Sequence, residues 1–347
     1  MNNQRDIFID VLKALAIFLV VLGHAPLCHG FIKQFVYSFH MPLFFAIYGM
    51  TYSIDKHRER RFLNMNFLKN KVKRLLIPAL IWAIGYTLVN DGIQGNFNIK
   101  HLILDCYGSQ QAYSTANSLT SIWFLPVMFL SVCLTELMMS LYANIEDERK
   151  RNTVIIMSIA LLPVITIALP KIGIGYPGGA NLVPIATSFI LLGYLINESS
   201  LCEKIKKMRI VTTLAITVIL AALTAVLTYF NLPNITIHNV DMAGAHFGNP
   251  LLYMVTAMLG IVMMLTMTKI IVKMSKAAWW TFIGSNTLGI FLVHKPLVII
   301  LCQLSSEIGL GAWPMSFVCS LVVVALSIPV LYMINKYIPQ IIGNIKN

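Results

Sequence analysis

Charge is scarce in this sequence. Of its 347 residues, 12% are Asp, Glu, Lys or Arg and 57% are hydrophobic, whereas soluble domains carry about 25% charged residues. That shortage excludes a water-soluble globular protein and indicates an integral membrane protein. Metal-ligand spacing is lacking as well. The six cysteines stand far apart, at 28, 106, 133, 202, 302 and 319, so no metal centre is expected. No Pro/Gly/Ser linker divides the chain and no internal repeat is evident. One transmembrane domain over 1–347 is therefore expected, with no appended soluble domain, and the missing repeats speak weakly against a transporter. The short alternating segments of a membrane β-barrel are missing too. The first apolar run is interrupted by Asp10 and Lys13 and has no small-residue cleavage site after it, which excludes a cleaved signal peptide.

What is present is a series of apolar runs. Ten are expected to span, at 7–27, 31–54, 75–90, 119–142, 153–170, 181–197, 210–230, 250–272, 280–302 and 314–335, each near the ~20 residues that cross hydrocarbon. The fold class is an all-α membrane bundle of about ten helices. The net charge of +12 is distributed by topology. With the N-terminus inside, eight Lys/Arg fall in the inner loop 55–74, while the outer loops hold only Lys33, Lys100 and Lys171. This positive-inside bias predicts cytoplasmic N- and C-termini and argues against nucleic-acid binding. Cys28 and Cys106 fall in outer loops, where an oxidising compartment allows a disulfide; two free thiols are the plainer reading. The outer loop 231–249 carries Asn231, Asn234, His238, Asp241, His246 and Asn249, groups that suit a sugar and equally suit any solvated loop.

Three ionisable residues break the first run: Asp10, Lys13 and His24. Such groups are costly inside a bilayer and mark functional sites. At about 100° per residue they share one helix face, and at 1.5 Å rise Lys13 and His24 lie roughly 16 Å apart. Asp10 is about 21 Å from His24, so an Asp10–His24 dyad is excluded and Asp10 is expected to pair with Lys13, three residues on. His40, in Phe39-His40-Met41-Pro42, is expected at the outer end of the second span, opposite His24. A neutral imidazole near its ordinary pKa takes a proton from a hydroxyl. The inner loop ends in Lys71-Val72-Lys73-Arg74, which reads either as a lipid-facing anchor or as a phosphate site. Further polar landmarks are Ser121, Trp123, Glu136, His294 and Lys295.

Taken together, Asp10-x-x-Lys13 with His24, Phe39-His40-Met41-Pro42-Leu43-Phe44-Phe45, Lys71-x-x-Arg74 before Pro78, Trp123-Phe124-Leu125 and Leu288 to His294 resemble the acyltransferase-three family of ten-span membrane O-acyltransferases. The resemblance implies transfer of an acyl group, usually acetyl, from cytoplasmic acyl-CoA to a hydroxyl of an extracytoplasmic glycan or glycolipid, in a bacterial inner membrane. It implies that the basic–His pair of the first span is essential, carried over as Lys13 and His24, and that the inner Arg-x-x-Arg pattern becomes Lys71 and Arg74. Two departures are visible. Lys71 replaces an Arg, keeping charge but losing the forked donor, and Tyr48-Gly49 stands where Ser-Gly is frequent.

On this reading His24 is the catalytic base. Lys13, Lys71, Lys73 and Arg74 bind acyl-CoA, which is a donor substrate rather than a resident cofactor, and Asp10 is a charge partner. His40, Ser121, Trp123 and His294 are acceptor-side candidates. Expected partners are acyl-CoA, the acceptor and membrane lipids. A proton-coupled transporter or glycan flippase, or a non-catalytic component of a polysaccharide-assembly complex, would fit the same polar spans.

Overall fold

The computed structural model describes residues 6–25, 30–54, 64–108, 122–173, 175–232, 240–275, 277–307 and 313–344. Ser121, Cys28, Asn234 and His238 lie outside them. In chain order the helices are α1 (Ile7–His24), α2 (Gly30–Tyr37), α3 (His40–Met50), α4 (Met65–Lys71), α5 (Ile77–Ile93), α6 (Ile99–Tyr107), α7 (Phe124–Tyr142) and α8 (Glu148–Ala168). They continue with α9 (Val183–Glu198), α10 (Leu201–Lys207), α11 (Ile210–Asn231), α12 (Pro250–Met274), α13 (Ala277–Ser285), α14 (Thr287–Glu307) and α15 (Trp313–Tyr337). A π turn (Val72–Leu76) joins α4 to α5, and a 3-10 turn (Pro177–Leu182) leads into α9. Among the described residues the β pairing is one isolated bridge, Asp241 with His246.

Among the described residues eight helices are long and apolar enough to cross a membrane, and the bent pair α13–α14 makes nine. This departs from the expected ten in one place. The run 31–54 is two helices broken at Ser38-Phe39, neither long enough to span alone. Pro42 is the local reason. Restarting the helix at His40 puts the proline in a first turn, where its missing N–H costs nothing. The 86° bend between α13 and α14 has a polar cause: Asn286 Nδ2 and Ser285 Oγ both donate to the Phe282 carbonyl, at 2.9 and 2.8 Å, and end α13 early.

The expected basic loop 55–74 is helical from Met65 onward. Pro78 removes the N–H that would bond to the Arg74 carbonyl, and its ring would meet that carbonyl. The chain widens instead, and the Ile77 N–H bonds five residues back to Val72. Lys73 and Arg74 therefore ride on a π turn, a feature that gathers at functional sites.

The chain divides into two compact units: Met1–Ile47 with Ile196–Met242 and His246–Leu331, and Tyr48–Leu195 with Ala243–Ala245 and Tyr332–Asn347. In the first, α1 is the hub and packs on α2, α12, α13 and α14. Asp6 caps its start, accepting from the Phe8 N–H at 2.9 Å, and also takes the Lys206 ammonium at 3.1 Å. It ends at Ala25, in extended backbone, because Pro26 follows. Two thirds of its hydrophobic window (67%) is buried, against 11% for α11, so α1 is interior and α11 peripheral. Gly284 permits a close approach to α1: a Cβ there would stand 2.7 Å from the Asp10 carbonyl carbon and 2.9 Å from its Cα.

In the second unit α7 packs on α8, on the π turn and on the 3-10 turn, and α6 lies along α5. Thr166 on α8 accepts the Ile185 N–H at 3.1 Å, satisfying a first-turn donor of α9 from a neighbouring helix. Gly49 lets α3 approach the Ile190 backbone, where a Cβ would sit 2.8 Å from the carbonyl carbon.

Candidate active site

Three histidines of the first unit share one local device. His24 Nδ1 lies 2.8 Å from the Val20 carbonyl, His40 Nδ1 2.9 Å from that of Val36, and His294 Nδ1 2.7 Å from that of Phe291. A carbonyl only accepts, so each Nδ1 carries the hydrogen and the neutral ring keeps its lone pair on Nε2. Each imidazole is thus oriented by the preceding turn of chain, its own helix for His24 and His294 and the end of α2 for His40.

His24 and His294 meet edge to face, ring centroids 5.0 Å apart at 68°. Tyr37 stands 6.4 Å from His24 and 4.8 Å from His40, and His40 is in electrostatic reach of His24. Gly23 makes room for the tyrosine ring, since a Cβ there would lie 2.8 Å from Tyr37 Cε2. Lys33 Nζ sits 5.4 Å from the Tyr37 ring centre. Lys295 is in electrostatic reach of His24, and Asp241 and Lys33 are in reach of Lys295. His40 is buried and His24 half-buried. His294 is fully buried, and its Nε2 has no hydrogen-bond partner among the described residues. Leaving such an acceptor unmet costs about 1–3 kcal/mol.

At the other end of α1, Asp10 is buried at 4% exposure beneath Gly284, and Lys13 is half-buried. Asp10 lies in the first turn of α1, where a carboxylate also complements the helix dipole.

The basic residues of the second unit part company. Lys71 is half-buried, its Nζ 4.6 Å from the Tyr48 ring centre and 5.2 Å from that of Phe67, and Glu136 is in electrostatic reach. Lys73 and Arg74 are exposed. The two departures from the resembled pattern, Lys71 and Tyr48, therefore touch: the lysine that lost the guanidinium fork rests on the aromatic ring that took the serine's place. Such a contact is worth about 0.5–1 kcal/mol and more when desolvated. Trp123 is buried just before α7, in this unit rather than with the histidines.

The polar loop 231–249 is largely structural where it is described. Asn231 is buried, donates to the Phe247 carbonyl at 2.9 Å and accepts from the Asn249 N–H at 2.7 Å. Asn249 caps α12, accepting from Leu251 and Leu252. Of the three asparagines that suited a sugar, the two that are described, Asn231 and Asn249, bond to backbone. Two contributors went unremarked in the sequence, Tyr37 and Gly284. Tyr37 had a readable signal, since it stands only three residues before His40; the halves of the Gly284 contact are too far apart in sequence to show.

Apolar helices of spanning length define a multi-pass membrane protein, and its first unit holds two adjoining imidazoles. The family model described as an acyltransferase domain matches residues 6–333, and the chain belongs to that family, acyltransferase-3. No curated protein and no solved structure matches it.

Proposed function

We propose that this acyltransferase is an O-acyltransferase, in the first instance an O-acetyltransferase, that moves an acyl group from cytoplasmic acyl-CoA to a hydroxyl of an extracytoplasmic glycan or glycolipid in a bacterial inner membrane. Both termini are cytoplasmic in this proposal. The observation that carries it is His24, half-buried, with its Nδ1–H tied to Val20 and its basic Nε2 set by that tether. A hydroxyl bound there gives its proton to Nε2 as its oxygen attacks the thioester carbonyl. The new C–O bond forms, the C–S bond breaks, and the leaving CoA thiolate takes the proton back from the His24 imidazolium, so the enzyme returns to its starting state.

Lys71, Lys73 and Arg74 bind the donor phosphates, and Lys13, paired with Asp10, contributes positive charge to the donor. His40 and Trp123 serve the acceptor side. A transporter or flippase would neither bind nor consume acyl-CoA, which separates that reading directly.

The test is mass spectrometry of surface glycans from cells with the protein, without it, and with His24→Ala. The acyl mark should be present only with the wild-type chain, while His24→Ala remains in the membrane at normal amount. Substantial acylation by His24→Ala would refute the general-base role.

A further inference from the structure

His294 does more than fill space. Its neighbours on α14, Ile290, Phe291, Leu292 and Val293, are buried apolar residues, and a leucine would suit that setting without leaving a polar atom stranded. The ring nevertheless spends Nδ1 on the Phe291 carbonyl and encloses an Nε2 that no described residue satisfies. Buried polar atoms are overwhelmingly hydrogen-bonded, so one that is not calls for a partner from outside the chain. A lone pair on nitrogen asks for a donor: a hydroxyl, an amide N–H or an ammonium. Lys295 acts electrostatically on both imidazoles, with Asp241 and Lys33 reaching it with opposite charges, and a cation already in reach disfavours a second at His294. A neutral hydroxyl meets no such repulsion.

The second observation is the neighbour. His24, the proposed base, lies edge to face with His294 at 5.0 Å and carries its lone pair on the same nitrogen for the same reason. Because the two rings adjoin, a substrate whose reacting hydroxyl is at His24 brings its neighbouring groups toward His294. Resting on the O-acyltransferase reading, we propose that His294 is an acceptor-binding residue whose Nε2 takes a hydrogen bond from the hydroxyl next to the one being acylated, so that the substrate class is a vicinal diol of a sugar or polyol. His24 takes the proton of the reacting hydroxyl; His294 holds its neighbour and fixes which oxygen faces the thioester.

The experiment uses the full chain in lipid nanodiscs, radiolabelled acetyl-CoA, and surface polysaccharide from cells lacking the protein. Half the polysaccharide is oxidised with periodate and reduced with borohydride, which destroys vicinal diols. His294→Asn retains a short donor toward Phe291 but loses the distal acceptor; His294→Gln places an amide oxygen near the position of Nε2. The expected result for His294→Asn is an acceptor KM raised ~10-fold, the factor that 1.4 kcal/mol commands, with the acetyl-CoA KM unchanged. His294→Gln recovers much of the loss, and the wild-type enzyme ignores the oxidised polysaccharide.

A wild-type acceptor KM in His294→Asn, or equal acetylation of intact and oxidised polysaccharide, overturns the inference while leaving the acyltransferase standing. No transfer to intact polysaccharide by the wild type refutes the acyltransferase reading and the inference with it. The periodate arm needs no variant, so a poorly folding substitution does not rescue the idea.

Discussion

Replacing Gly284 by alanine puts the α1–α13 contact to a direct test. The added Cβ would stand 2.7 and 2.9 Å from the carbonyl carbon and Cα of Asp10, nearer still to that residue's carbonyl oxygen. All three atoms are backbone, so no rotamer change relieves the overlap and the helices must part by several tenths of an ångström. Overpacking costs about 1–3 kcal/mol, and the rigidity of the partner puts this case in the upper half, at about 2–3 kcal/mol. For a unit of a couple of hundred residues, at roughly 2–4 °C per kcal/mol, the midpoint of thermal unfolding should fall by roughly 4–12 °C. The matched control is Gly85→Ala on α5, where the new methyl meets nothing within 4 Å. Glycine is about 1 kcal/mol worse than alanine inside a helix, so that variant should hold or raise the midpoint. Both are read by tryptophan fluorescence of purified protein during a thermal ramp. A Gly284→Ala midpoint within 1 °C of wild type, or an equal loss in Gly85→Ala, refutes the close contact. A midpoint loss with α1 displaced should also lower acyl transfer, since the same helix carries His24.

Arg74→Ala should weaken acyl-CoA binding to purified protein by about tenfold, in line with the roughly 1.5–3 kcal/mol of a hydrogen bond to a charged group; unchanged affinity returns the π turn to a membrane-anchoring role. Thr166→Val strands the buried Ile185 N–H and should cost about 1–3 kcal/mol, visible as a lower unfolding midpoint; an unchanged midpoint shows the bond to be dispensable. Burial, aided by the Asp105 charge, raises the Cys106 thiol above its ordinary range. In a variant retaining only that cysteine, a membrane-impermeant maleimide should label intact cells slowly at neutral pH and faster as pH rises, because the thiolate is the nucleophile. Labelling only after permeabilisation would reverse the proposed orientation.

The membrane class and most spans were legible because long apolar runs survive in a single sequence. The second span was not, since a single serine does not interrupt an apolar run and only Pro42 hints at a restart. The face shared by Asp10, Lys13 and His24 followed from helix periodicity alone. The partnership of His24 with His294 did not, because residues 270 positions apart are brought together by packing that periodicity does not encode. Lys71 reads in sequence as one of a basic run. In three dimensions its ammonium rests on Tyr48 and on Phe67 of its own helix, while Lys73 and Arg74 are exposed.

The tethering of the three imidazoles has a consequence for how this protein enters a bilayer. Many histidine bases are aimed by a buried carboxylate, which brings a formal charge that costs at least about 2.5 kcal/mol at the membrane centre. Here each ring is aimed by a nearby peptide carbonyl, on the same helix for His24 and His294 and at the end of α2 for His40. For the first two the orientation is complete once the helix forms, before any helix meets another, and in all three it adds no charge. The charge that α1 and α14 carry into lipid is then that of Asp10, Lys13 and Lys295, and aiming the imidazoles adds nothing to it.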